Sequence, residues 1–197
     1  PKVPGAILVT PFGIVAGIVS FAAFIPYLWS IHRNRTKPNR ATWLVWFVVG
    51  CFMCASYHAE GARTSLYVTF SYVLGTLAVF IYSIRKGEGG WSKLDQFCLA
   101  GAFAGGLLWW WTGSPFVSLA VNIAMDFLGL IPTIVKSWKR PMDEDKFAWM
   151  LSTLGGFLNL FAVEHWVVGH WIYPVYVFLG IGVVYLILVV RQPRKRQ

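Results

Sequence analysis

The chain is poor in charge and poorest in acid. Only 8 Asp and Glu stand against 17 Lys and Arg, and charged residues make up 13% of the whole. Soluble domains carry about 25%, and a water-facing shell cannot be built from so few charges, which excludes an ordinary soluble domain. Lysine is missing from the last apolar run, Trp171–Val190, and the other lysines fall in expected loops and termini. A retinal Schiff base therefore has nowhere to form, which excludes an opsin-like light response. Cysteine is scarce: Cys51, Cys54 and Cys98 all lie inside apolar runs. They cannot frame a small disulfide-rich domain, and the Cys51-Phe52-Met53-Cys54 pair lacks the outer-loop shuttle cysteines of a membrane thiol oxidoreductase. No phosphate loop, dense metal-ligand spacing or nucleophile–base pair occurs, so neither an enzyme nor a cofactor or metal is expected. No long linker or low-complexity segment occurs, and residues 1–197 are expected to form a single transmembrane domain with a short basic tail at 191–197.

What is present is apolar. Hydrophobic residues reach 57%, and the mean hydropathy is +0.59. Seven apolar runs, at about 6–31, 41–58, 64–84, 94–112, 115–136, 147–163 and 171–190, approach the ~20 residues that a bilayer-crossing helix needs. The first run is too long for a cleaved signal peptide and has no charged leader. With the N-terminus outside and the C-terminus inside, every basic residue except Lys2 and Arg63 falls on the inner side. That asymmetry is the positive-inside rule. It explains the formal charge of +9 without nucleic acid, which is not expected as a partner. The lipid bilayer is one partner and a small solute the other, and a homo-oligomer is left open. The short loops point to a bacterial inner membrane.

The chain also repeats itself. At one fixed offset, Ile25-Pro26 returns as Ile131-Pro132, a basic loop follows each, Trp43 opens one helix and Trp149 another, and Gly50 falls on Gly156. Runs 1–3 and 5–7 (6–84 and 115–190) read as two parallel three-helix bundles, with run 4 (94–112) as their connector. Proline removes a helix hydrogen bond, so Pro26 and Pro132 are candidate hinges.

Three helices, a connector and three more, with proline near the inner end of each repeat's first helix, resemble the PQ-loop superfamily. That group includes the SWEET sugar transporters, the nicotinamide riboside transporters, the lysosomal cystine exporter and the KDEL receptor. The Pro-Gln dipeptide itself is absent: Tyr27 follows Pro26 and Thr133 follows Pro132. The resemblance implies an all-α seven-helix bundle with a central cavity and alternating access.

Asp126 is the one acid near the middle of an apolar run, where a charge costs ~3 kcal/mol or more unless shielded. Asn122, Asp126, Gly129 and Thr133 share one helix face; so do Trp149, Ser152, Gly156 and Asn159, and so do Ser65, Thr69, Tyr72 and Thr76. These stripes make Asn122, Asp126, Asn159, Trp149, Tyr72 and Trp43 candidate substrate-binding residues, with Asp126 able to take up and release a proton. The alternative for Asp126 is a structural acid that locks helices through Asn159 or a tyrosine. At the outer mouth, His58, Glu60, Glu164 and His165 form a candidate gate. The favoured expectation is a secondary transporter of a sugar, nucleoside, vitamin or amino-acid-like solute. A receptor or sensor of the KDEL-receptor kind, binding a ligand or peptide without transport, is the second, and an assembly factor the third.

Overall fold

The computed structural model describes residues 6–59, 64–89, 92–113, 115–163 and 168–193. They form seven α-helices: α1 (Ala6–His32), α2 (Arg40–Ala59), α3 (Thr64–Lys86), α4 (Lys93–Thr112), α5 (Pro115–Lys139), α6 (Lys146–Leu160) and α7 (Val168–Arg191). A 3-10 turn at Pro141–Asp143 precedes α6. There is no strand among the described residues; Asn39 and Glu88 make an isolated bridge. Stretches long and apolar enough to cross a membrane occur in three helices, at Pro11–His32, Leu119–Lys139 and Trp171–Arg191. Helix α6 stops at Leu160, short of the expected 163, because the chain turns at Phe161, whose N–H bonds the Leu158 carbonyl.

Local chemistry fixes the helix ends. The Asn39 side chain accepts from the Thr42 N–H at 3.0 Å and caps α2. Asp145 caps α6 by accepting from the Ala148 N–H at 2.9 Å. Ser92 and Asp95 form a reciprocal capping box at the start of α4, each side chain accepting from the other's N–H at 3.1 Å. Arg40 then closes the end of α3 by donating to the carbonyls of Ser83, Gly87 and Gly89. With α1, α3, α5 and α7 ending here in His32, Lys86, Lys139 and Arg191, this is the basic end of the bundle.

Helix α1 packs on α3 and α6, and α5 packs on α7 and α2. Helices α2 and α3 pair, as do α6 and α7, while α4 lies against α5 and α2. Glycines permit the close crossings. A methyl on Gly155 of α6 would meet the Ser20 backbone nitrogen of α1 at 3.0 Å, and one on Gly129 of α5 would meet Val45 Cβ of α2 at 3.2 Å. Gly50 faces Val73 of α3, and Gly156 faces Phe178 of α7. Pro26 and Pro132 lie inside α1 and α5, as Pro11 and Pro174 lie inside α1 and α7, and each helix continues past its prolines.

The polarity runs from polar inside to apolar outside. Thr42, Thr76, Asn122, Asp126 and Thr133 are buried, whereas Ile14, Ile18, Phe21, Ile25 and Trp29 form an exposed stripe along α1. Leu179, Val183, Leu186 and Val190 form another along α7. Contiguous apolar surface on this scale marks faces that meet a membrane or another protein. At the basic end, guanidinium groups cover two exposed rings, Arg33 over Trp29 and Arg191 over Trp138; Trp110 and Trp111 are exposed near the opposite end of α4.

Candidate functional site

Among the described residues, six helices, all but α4, contribute to one internal cavity. Its walls come from Ala23, Phe24 and Tyr27 of α1, Trp43 and Trp46 of α2, Tyr72 of α3, Asp126 and Leu130 of α5, Ala148, Trp149 and Ser152 of α6, and Tyr176, Val177, Gly180 and Ile181 of α7. The cavity holds about 50 Å³, well below the ~300 Å³ at which small-molecule pockets begin. A solute larger than a few waters enters only if the helices part.

One wall is a closed circuit of rings. Tyr27 meets Trp43 at 5.1 Å between centroids, Trp43 meets Trp46 at 5.1 Å, Trp46 meets Trp149 at 6.1 Å, and Trp149 returns to Tyr27 at 6.2 Å. Three of the four contacts are edge-to-face, the arrangement that aromatic quadrupoles favour. Phe24 extends the wall from Trp43 to Tyr72.

Asp126 stands in this lining, halfway along α5 and 6% exposed. The Tyr176 hydroxyl donates to Oδ2 at 3.0 Å and the Tyr173 hydroxyl to Oδ1 at 3.4 Å. The Trp46 indole N–H donates to the Asp126 carbonyl at 3.3 Å, which ties α2 to α5 at the same level. None of the ion pairs among the described residues includes Asp126.

A second carboxylate closes the basic end. Glu144, in the turn before α6 and 4% exposed, accepts from the Tyr27 hydroxyl at 2.9 Å and the Trp149 indole N–H at 2.8 Å. It is ion-paired to Lys136 of α5, which also donates to the Lys37 carbonyl. Gln192 at the end of α7 donates to the Pro141 and Glu144 carbonyls. The cluster thus joins α1, α5, α6, α7 and two loops, and its Tyr27 and Trp149 also line the cavity.

The structure brings Asp126, Trp149, Tyr72 and Trp43 to one cavity. Asn122 is buried one turn along α5 from Asp126 and Asn159 lies in the last turn of α6, and neither lines the cavity. The α6 stripe fails at Asn159 because the cavity meets only the first two turns of that helix, through Ala148, Trp149 and Ser152. Of the structural alternatives for Asp126, the tyrosine partner is realised and Asn159 is not. Lys136, expected in a loop, is a buried residue of α5. Of the outer gate, Glu60, Glu164 and His165 lie outside the described residues, as does the His58 side chain.

No family model, curated protein or solved structure matches the chain. Its chemistry must therefore be read from its own residues. The lining offers one carboxylate, several hydroxyls and a large aromatic surface, and no His/Cys/Asp/Glu group able to hold a metal occurs among the described residues. Such a lining offers a carboxylate that can take up a proton or meet a cation, beside rings that can pack on a guest. Sequence reasoning missed Tyr27, Tyr173, Tyr176 and Glu144, whereas Trp46, in the first turns of α2 like Trp43, carries the same vestibule signal from its place at the start of an apolar run.

A second recess of about 320 Å³ opens at the basic end among Asn39, Glu88, Ser92, Asp95, Lys136, Lys139 and Arg140. Most of its charged side chains have partners: Arg140 pairs with Glu88, Lys136 with Glu144, and Asp95 accepts from the Ser92 hydroxyl.

Proposed function

We propose that this chain is a secondary transporter of a small polar solute, a sugar, nucleoside, vitamin or amino-acid-like compound, working by alternating access. In this reading all seven helices cross a bilayer, a bacterial inner membrane, with the basic end inside. The observation that carries it is the cavity itself: α1–α3 and α5–α7 both contribute walls, α4 contributes none, and an acid stands at mid-helix. The helix packing supports two related halves. The α1–α3, α2–α3 and α1–α6 pairings have their counterparts in α5–α7, α6–α7 and α5–α2. At the offset relating Trp43 to Trp149, the capping residues Asn39 and Asp145 also coincide. The Glu144 cluster acts as the inner gate, so the structure corresponds to a state closed toward the inside.

Asp126 is the coupling residue, loading a proton on one side and releasing it on the other. The test is uptake into proteoliposomes across a pH gradient, with the solute first found by thermal shift against a metabolite panel. Asp126→Asn should remove the pH dependence of flux while the protein stays folded. Unchanged pH dependence would remove the coupling role, and saturable binding without any flux would favour the receptor reading.

A further inference from the structure

The cavity's chemistry also selects a class of solute. We infer that it is built for an organic cation: an amine or quaternary ammonium held between the Asp126 carboxylate and the faces of the aromatic wall. The inference rests on the cavity being the solute site of the proposed transporter.

Three observations carry it. First, among the described residues the lining contains one acidic side chain and no basic one. Second, the carboxylate accepts from two tyrosine hydroxyls and enters no ion pair among the described residues. The other buried acid of the region, Glu144, already has Lys136. A buried carboxylate with no counterion among the described residues gains one from a cationic solute. Third, the Tyr27–Trp43–Trp46–Trp149 ring circuit lines the same cavity, and aromatic rings attract cations, indole most strongly.

The same lining suits a polyhydroxylated solute poorly. The Trp149 N–H and the Tyr27 hydroxyl donate to Glu144, the Trp46 N–H to the Asp126 carbonyl, and the Tyr176 hydroxyl to the Asp126 carboxylate. The Tyr72 and Ser152 hydroxyls are left to meet a sugar's many donors and acceptors. An alkylammonium group needs few directional partners and gains from every ring face.

The deciding experiment uses the purified full chain in detergent. Tryptophan fluorescence and thermal shift would be followed against choline, tetramethylammonium and N-methylpyridinium. The controls are 3,3-dimethylbutan-1-ol, the uncharged isostere of choline, and 3,3-dimethylbutanoate, its anionic counterpart. At least one cation should bind about tenfold or more tighter than both controls. Asp126→Asn, which preserves size and keeps one acceptor oxygen, should erase that preference. Trp43→Leu should weaken the cation more than the isostere, and Trp43→Phe less than Trp43→Leu. Equal binding of choline and its isostere, binding by none of the cations, or a cation preference that survives Asp126→Asn would each overturn the inference. Flux separates the two proposals. Cation binding without transport into proteoliposomes would sink the transporter and leave the site standing. Transport of an uncharged solute, with no cation bound, would do the reverse.

Discussion

Two buried carboxylates bracket the cavity, and they are held in opposite ways. Glu144 has a cation, Lys136, together with a tyrosine hydroxyl and an indole N–H. Asp126 has two tyrosine hydroxyls and a place in the cavity lining. An acid paired to a buried lysine cannot lose its charge without stranding that lysine, so it suits a fastener. An acid with only neutral partners can trade a proton or meet an incoming cation while its neighbours keep their hydrogen bonds, so it suits a working part. Burial alone, nearly the same at 4% and 6%, does not distinguish the two; the partners do.

The contrast breaks most visibly in stability. Glu144→Gln leaves Lys136 buried without its counterion and should cost about 3–5 kcal/mol, read as a large fall in melting temperature. Asp126→Asn keeps an acceptor for Tyr176 and should cost about 1 kcal/mol or less. Similar losses in the two variants would mean that Asp126 is structural as well. A smaller effect sharpens the same point. Tyr27→Phe and Tyr176→Phe each delete one hydroxyl and should each destabilise the fold by about 1 kcal/mol. Only Tyr27→Phe should raise the rate at which a water-soluble thiol reagent, added from the inner side, labels a cysteine placed at Ser152, because only that hydroxyl fastens the basic end. Equal labelling in both variants would remove Glu144 from the gate.

The helices were legible because each apolar run is bounded by loop or capping residues such as Asn39, Ser92 and Asp145. Asp126 was legible because an acid amid apolar neighbours has few structural excuses, and Trp43 and Trp149 because each stands in the first turn of a helix that follows a basic loop. Asn159 misled, since a stripe of polar residues shows which residues share a face but not how far along that face a cavity extends. Tyr173 and Tyr176 were hidden for a related reason: the rotation of α7 about its axis is set by packing against α5 and α6, which the sequence of α7 does not reveal. Glu144 was the least legible. Asp143-Glu144-Asp145 reads as a solvated acidic turn, and its middle member is buried only because Tyr27, 117 positions earlier, arrives above it.

Helix α4 touches α5 and α2, and none of its described side chains lines the cavity, while Phe97, Phe103, Trp110 and Trp111 turn outward. It behaves as an adapter laid against the cavity-lining helices, and an adapter is an interchangeable part. A library randomised over its outward positions should yield functional chains carrying almost any apolar residue there. Tolerance should end at Gly101, where a methyl would meet Leu128 at 3.0 Å, and at the Ser92–Asp95 cap. The freedom to vary is thus unevenly spread along the chain, concentrated in the helix whose described side chains stay clear of the cavity.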